Sequence, residues 1–355
     1  MTEHTQHGTT TSPPETMRAA VYRRFGGPDV VEVVESVPRP RAGVGDVLIR
    51  VRASTVSVAD QRMRSRRVPR GLGLLVGPAL GFFRPRRRIL GMDVAGVVDS
   101  VGPGVTEFTP GDEVIALRGQ RFGGHAEYVT APATGAIALK PRNLSFEEAA
   151  TLVFGGHTAV SFLDLIELRE RSEVLVNGAS GAVGTAVIQL AARQGARVTA
   201  VCSGGNADLV RSLGADTVID YARQDFADTD ARYDAIIECV GNAPFARVAP
   251  LVRPGGAILN VITDLAGMLA AKRRSRRSGI LVACNGAPVS GDTLRRLTAL
   301  AEAGDFRPVI DRVYDLDDIA DAHRYVDTGR KRGNVVLRIS QVRSPRVQAS
   351  AAWAE

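Results

Sequence analysis

The segment Val174-Leu-Val-Asn-Gly-Ala-Ser-Gly-Ala-Val-Gly184 constrains this chain more than any other. A short apolar run passes into Gly178, Gly181 and Gly184 and then into residues with helical spacing. Glycines at such points let the backbone turn tightly and approach a pyrophosphate, whose charge rests on the unpaired N–H groups at the start of the helix. A glycine pattern alone is a weak signal. Here it is followed by a helix, Gly184 to Gln194, and a second strand, Ala196 to Cys202, which is the context a dinucleotide site demands.

The end of that second strand points to the dinucleotide. NAD sites commonly place an acid there for the ribose 2′-hydroxyl, but this chain reads Val201-Cys-Ser-Gly-Gly-Asn206, with no acid before Asp208. Ser203 and Asn206 can donate to a 2′-phosphate, although no Arg or Lys stands in the turn, so NADPH is expected from an absent acid more than from a present base.

The rest of the chain falls into two rhythms. Ala19 to Arg23, Val30 to Val34, Val47 to Ala53, Val94 to Val101, Glu113 to Leu117 and His125 to Thr130 are short β-branched runs between Gly and Pro, which predicts a mostly antiparallel β domain. From Glu173 onward strands alternate with helices, with further strands at Thr217 to Ile219, Ala235 to Val240 and Ala257 to Ile262, which predicts a doubly wound parallel sheet. Helices at Thr293 to Ala303 and Leu316 to Val326 and a strand at Asn334 to Ile339 close the chain. With 355 residues, 45% of them hydrophobic, about two ordinary domains are expected. Cys202, Cys239 and Cys284 are few and scattered, which excludes a disulfide framework and a four-cysteine zinc lobe and fits a reducing, cytoplasmic setting. Residues 1–16 lack the apolar core of a secretory signal.

The net charge of +7 is local. Nine arginines lie between residues 61 and 88, and Lys272 to Arg277 holds five more cations; without both segments the chain would carry −7. Nucleic-acid binding proteins more often spread their charge, so that partner is not expected.

These segments resemble the zinc-free medium-chain dehydrogenase/reductases of the quinone oxidoreductase and zeta-crystallin-like branch. The resemblance covers about residues 17–340. It is carried by Met17-Arg-Ala-Ala-Val-Tyr22, Phe25-Gly-Gly-Pro-Asp29, Gly91-Met-Asp-Val-Ala-Gly96, Gly111-Asp-Glu-Val114, Gly123-Gly-His-Ala-Glu-Tyr128, His157-Thr-Ala159, Leu213-Gly-Ala-Asp216 and Gly333-Asn-Val-Val336. It implies an α/β architecture of a GroES-like β-barrel domain plus a Rossmann doubly wound parallel sheet domain. The divisions expected are a disordered tail to residue 16, a catalytic domain over 17–146, an NADP-binding domain over 147–288, a segment completing the catalytic domain over 289–341, and a tail over 342–355.

By resemblance, Thr158 lies near the nicotinamide, Ser180, Gly181, Ala182 and Val183 at the pyrophosphate, Ser203 and Tyr221 near the 2′-phosphate, and Val240 and Gly241 by the adenosine; the Tyr221 ring reads equally as the cap of a strand. Val261, Ile262, Thr263 and Asn334 border the nicotinamide. Ser57 and Asp60 match polar positions of the family's substrate cleft and are the candidate catalytic pair, although both residue types also make turns and caps. Zinc-dependent relatives carry a His-Glu pair after the glycine at 91 and a cysteine within 54–57; Met92, Asp93 and a cysteine-free Ser54 to Ser57 stand here, so no metal is expected. Arg62 occupies the place of a tyrosine that often lies near the nicotinamide. His125 and His157 read as packed or solvent-facing side chains.

The function expected is an NADPH-dependent reductase of a quinone or an α,β-unsaturated carbonyl, because without a metal the hydride acceptor must spread its own developing charge. The alternatives are an NADPH-binding interaction protein with RNA affinity, as in zeta-crystallin-like members, and an enoyl reductase or alcohol dehydrogenase of a biosynthetic pathway. A homodimer is the expected assembly. Arg62 to Arg88, which encloses the apolar stretch Gly71 to Phe83, reads as a packed loop or as a lid whose arginines rest on an anionic membrane.

Overall fold

The computed structural model describes residues 15–73, 77, 81–286, 288 and 290–340. Seven strands come first: β1 (Thr16–Tyr22), β2 (Val31–Pro38), β3 (Asp46–Val56), β4 (Asp93–Val101), β5 (Glu113–Leu117), β6 (Tyr128–Pro132) and β7 (Ile137–Leu139). Six more follow: β8 (Glu173–Asn177), β9 (Arg197–Cys202), β10 (Thr217–Asp220), β11 (Tyr233–Glu238), β12 (Val252–Asn260) and β13 (Leu281–Ala283). The last two, β14 (Ile310–Asp315) and β15 (Asn334–Arg338), return to the first group.

The middle six form one parallel sheet in the order β10-β9-β8-β11-β12-β13. Val174, Leu175 and Val176 are wholly buried, as a strand covered on both faces requires, and adjacent Ile236, Ile237, Ile258 and Leu259 share that burial. The other sheet runs β14-β15-β3-β4-β5-β7, with β6 also on β3, and β1 and β2 form a hairpin beside it. β15 pairs antiparallel with β3, placing Val335 opposite Val56, so the chain's end completes the first domain's sheet.

A helix, α2 (Phe146–Leu163), joins the two sheets, and α1 (Val58–Ser65) and α3 (Ala182–Arg193) flank the space between them. Ser145 and Glu148 form a reciprocal cap at the start of α2, each side chain accepting from the other's N–H. The helix packs on α3 and on β3, β4, β5 and β15. Its Leu152, Val153, Val160 and Phe162 are buried, each worth about 1.5–3 kcal/mol. At Gly155 a Cβ would stand 2.6 Å from the Ala182 carbonyl, so the missing side chain lets α2 press against the first turn of α3.

Among the described residues no helix is long and apolar enough to cross a membrane. The stretch Gly71 to Phe83 and the two tails fall partly or wholly outside the described residues. Of the arginines from 62 to 88, most are exposed and Arg64 is not. Arg64 is wholly buried and holds Asp327, at the end of α4 (Ile319–Asp327), at 2.5 and 2.7 Å, with the Gly26 carbonyl at 2.8 Å. Arg66 donates to the Phe82 carbonyl, while Arg62, Arg86 and Arg87 turn toward the space between the sheets.

Candidate active site

That space is a cleft of about 1720 Å³, beyond the ~300–1,000 Å³ of an ordinary small-ligand pocket and roomy enough for a dinucleotide with a second molecule. The wall from the parallel sheet is built around the loop from β8 to α3. Gly178, at φ +82°, makes the turn, and Gly184 packs so tightly that a Cβ there would stand 2.3 Å from the Gly178 carbonyl. Gly181 differs: a Cβ would meet only that carbonyl, at 3.4 Å, so the chain leaves the space above it open. No side chain caps α3 and no acid stands in its first turn, which leaves N–H groups of Ala182, Val183 and Gly184 to face an anion. This cradle fits a pyrophosphate.

The strand order brings the 2′-phosphate candidates together from two places. The Asn206 amide donates to Ser180 at 3.0 Å and to Ser203 at 3.1 Å, tying the turn after β9 to the glycine loop. Because β10 lies beside β9 with Asp220 opposite Cys202, the next residues reach the same end of the cleft. Tyr221, 63% exposed, and Arg223 line it there. Arg223 is thus a cation available at this end of the cleft, where the turn after β9 has none, and sequence reading missed it because it lies 20 residues from Ser203. The acid missing from that turn has a neighbour too: a Cβ on Gly204 would stand 2.6 Å from an Asp220 carboxylate oxygen, although Asp220 does not line the cleft.

Ser180, Gly181, Ala182, Val183, Tyr221, Val240, Val261, Ile262 and Asn334 are thus gathered in one cleft. Thr158, Ser203, Gly241 and Thr263 are not on its lining. Thr263 turns its hydroxyl toward Gly267, where a Cβ would stand 2.1 Å from it. The loop carrying Val240 and Gly241 is held by Glu238, a buried carboxylate that accepts from the N–H groups of Val240, Gly241 and Ala243 at 2.6, 3.0 and 2.8 Å.

On the opposite wall Ser57 lines the cleft, but Asp60 does not. Asp60 is wholly buried, and its oxygens accept from the Ser57 N–H at 2.8 Å, the Ser57 hydroxyl at 2.6 Å and the Gly91 N–H at 2.8 Å. Its assignment to the reacting pair is therefore corrected: these bonds cap α1 and fix Ser57, and none reaches toward the cleft. His125 and His157 are buried, His125 bonded to the Thr55 carbonyl at 2.9 Å and His157 to Ser161 at 3.3 Å.

Two titratable groups that sequence reading did not single out for chemistry face the cleft. Asp93 is buried, and burial pushes its carboxyl up to about 7; Thr55 donates to one oxygen while the other has no protein partner. Lys331 donates to the Gly333 carbonyl at 2.7 Å, and burial brings its ammonium down to about 8 against the opposing pull of Asp311 and Asp93. Gly333 in turn donates to the Ser180 carbonyl at 2.8 Å, which joins this corner to the glycine loop. Phe122, buried with φ at +51°, forms part of the same wall, its carbonyl held by Arg118 at 2.9 Å. Such backbone strain persists only where surrounding structure enforces it.

A doubly wound sheet with a pyrophosphate cradle, facing a β domain across a shared cleft, defines a nicotinamide-dinucleotide oxidoreductase of two-domain type. Residues 43–141 match the family described as alcohol dehydrogenase GroES-like domain, and residues 213–337 the family described as zinc-binding dehydrogenase. The chain belongs to the medium-chain dehydrogenase/reductase family. It is 33% identical over 344 residues to the 2-methylene-furan-3-one reductase of Solanum lycopersicum, covering 93% of this chain and 81% of that one. It is 32% identical over 335 residues to the NADPH-dependent alkenal/one oxidoreductase of Arabidopsis thaliana, covering 91% and 80%. The structure of the quinone oxidoreductase from Coxiella burnetii superposes with a TM-score of 0.82 at 28% identity, over 91% of this chain and 99% of that one.

Proposed function

We propose that this protein is an NADPH-dependent, zinc-independent reductase acting on a quinone or an α,β-unsaturated carbonyl. One observation carries the reading: a single cleft runs from Arg223 and Tyr221, past the bare start of α3, to Asp93 and Lys331. Ser180 to Val183 hold the pyrophosphate, Arg223 and Tyr221 the 2′-phosphate with Ser203 and Asn206 behind them, and Val261, Ile262 and Asn334 border the nicotinamide. When bound there, NADPH would supply the hydride for the acceptor's β-carbon or quinone ring. Thr55 and Ser57 present hydroxyls, and Phe122, Phe154 and Val58 exclude water around the acceptor. Asp93 and Lys331 hold the proton that completes the reduction, since burial pushes the one up and the other down toward neutrality and both line the cleft.

The relatives named for alkenal/one and quinone reduction support the acceptor class. Met92 and Asp93, with no cysteine from Ser54 to Ser57, support independence from zinc, as they do not supply the three ligands a catalytic zinc takes. The edge of β13, with Leu281 exposed, supports a homodimer formed through the parallel sheet. The test is loss of reduced-nicotinamide absorbance with a panel of enones and quinones, NADPH against NADH. Turnover preferring NADPH is expected; saturated aldehydes reduced while enones and quinones are inert would overturn the reading.

A further inference from the structure

The β-domain wall of the cleft carries more positive charge than an uncharged enone or quinone needs. Arg62, Arg86, Arg87, Arg121 and Lys331 line it, and Asp93 is the acid among them. Among the described residues Arg62, Arg87 and Arg121 make no ion pair, whereas buried Arg64, two residues from Arg62, is clasped by Asp327. The field of this cluster acts on the molecule itself. Behind it the Arg118 guanidinium is brought down to about 10 by burial and by neighbouring Arg121 and Arg87, with Asp46 opposing. Half-buried Arg62 is lowered by burial alone. Guanidinium groups that line a cleft without ion-pair partners of their own are available to an anion, and planar guanidinium matches carboxylate and phosphate oxygens with paired N–H donors.

We infer that the acceptor is itself an anion: a conjugated carbonyl bearing a carboxylate or phosphate group, which Arg62, Arg87 and Arg121 hold while the conjugated bond faces the nicotinamide site. This rests on the reductase reading and narrows it to a substrate class. The 2′-phosphate is served by Arg223 at the other end of the cleft, on the parallel-sheet side, so the cofactor does not account for these three.

The experiment compares kcat/KM with NADPH for 4-oxopent-2-enoic acid against its methyl ester, and for crotonyl coenzyme A against the phosphate-free crotonyl N-acetylcysteamine thioester. Preference for the charged member of either pair by at least about tenfold is expected, shrinking as salt is raised. The first pair reports a carboxylate and the second a phosphate. Arg62→Gln, Arg87→Gln and Arg121→Gln should each reduce that ratio by about five- to tenfold, with Arg62→Lys retaining more of it than Arg62→Gln. Arg169→Gln, on an exposed loop, should leave it unchanged. Should a variant fail to fold, the salt dependence of the unmodified protein still decides. Neutral members reduced as well as charged ones, or a ratio indifferent to salt, would overturn the inference while the reductase reading stands. Failure of NADPH oxidation with every acceptor would overturn both.

Discussion

The two walls of the cleft are built by different means. The parallel-sheet wall uses main chain: glycines that withhold a Cβ, N–H groups at a helix start, and a loop pinned by buried Glu238. The β-domain wall uses side chains from separate elements, Ser57 at the cap of α1, Arg62 on α1, Arg87 before β4, Asp93 on β4, Arg121 after β5 and Lys331 before β15. A main-chain site is encoded by a short contiguous motif, because it needs particular residues chiefly where a side chain must be absent. A side-chain site is spread along the chain and can be altered one residue at a time without disturbing the backbone. In the proposed function the first wall therefore takes the cofactor, and the second is free to set the acceptor.

The strongest way to break this contrast is within the glycine loop. Gly181→Val fills space the protein leaves open, so folding should survive while NADPH binding weakens by about 1000-fold, the loss of two charge-assisted contacts at about 2 kcal/mol each. Gly184→Val drives a Cβ into the loop's own backbone and should unfold the domain. Isothermal titration and thermal melts of the two variants separate these outcomes, and an unchanged NADPH affinity in folded Gly181→Val would move the site elsewhere.

On the other wall, neighbouring arginines should part in the same way. Arg64→Met leaves Asp327 and the Gly26 carbonyl without their donor and should cost about 3 kcal/mol in denaturant unfolding. Arg62→Met should leave stability within about 0.5 kcal/mol, since no carboxylate among the described residues depends on it. Equal losses would show that Arg62 is structural.

Lys331→Met should lower kcat/KM by roughly 100-fold. With the protonated Lys331 ammonium as the proposed final donor and Asp93 beside it, activity of the unmodified protein should fall as pH rises through about 8, and the variant should lose that limb. A high-pH limb that persists in Lys331→Met would reassign the proton. The smallest effect is expected at the cofactor's far end, where Arg223→Gln should weaken NADPH by about tenfold with NADH unchanged. Adding the absent acid by Ser203→Asp should move preference toward NADH. A variant in which both cofactors weaken equally would mean that Arg223 serves folding and not the 2′-phosphate.

The alternation of strands and helices, the glycine loop and the strand ends at Asn177 and Cys202 could be read in the chain because each is local. Buried parallel strands need unbroken apolar runs, and a tight turn against a phosphate needs glycine. Boundaries slipped where context outvoted composition. β12 begins at Val252, ahead of Pro254 and two glycines that signal a break, because β11 offers it a partner through an irregular register. β14 escaped notice because Ile310–Asp315 buries no residue fully and has no apolar alternation; it is a strand because β15 lies alongside.

By itself, then, the sequence determined the family, the two-sheet architecture and the cofactor cradle, all of which follow from patterns a few residues long. Only the tertiary structure decided which charges meet. It took Asp60 out of the cleft by giving its carboxylate three donors, set Arg223 beside a turn 20 residues away through the pairing of β9 with β10, and carried Lys331 to Asp93 by returning the chain's end to the first sheet. Electrostatic chemistry depends on distance and burial, and neither is a property of a residue's place in the chain.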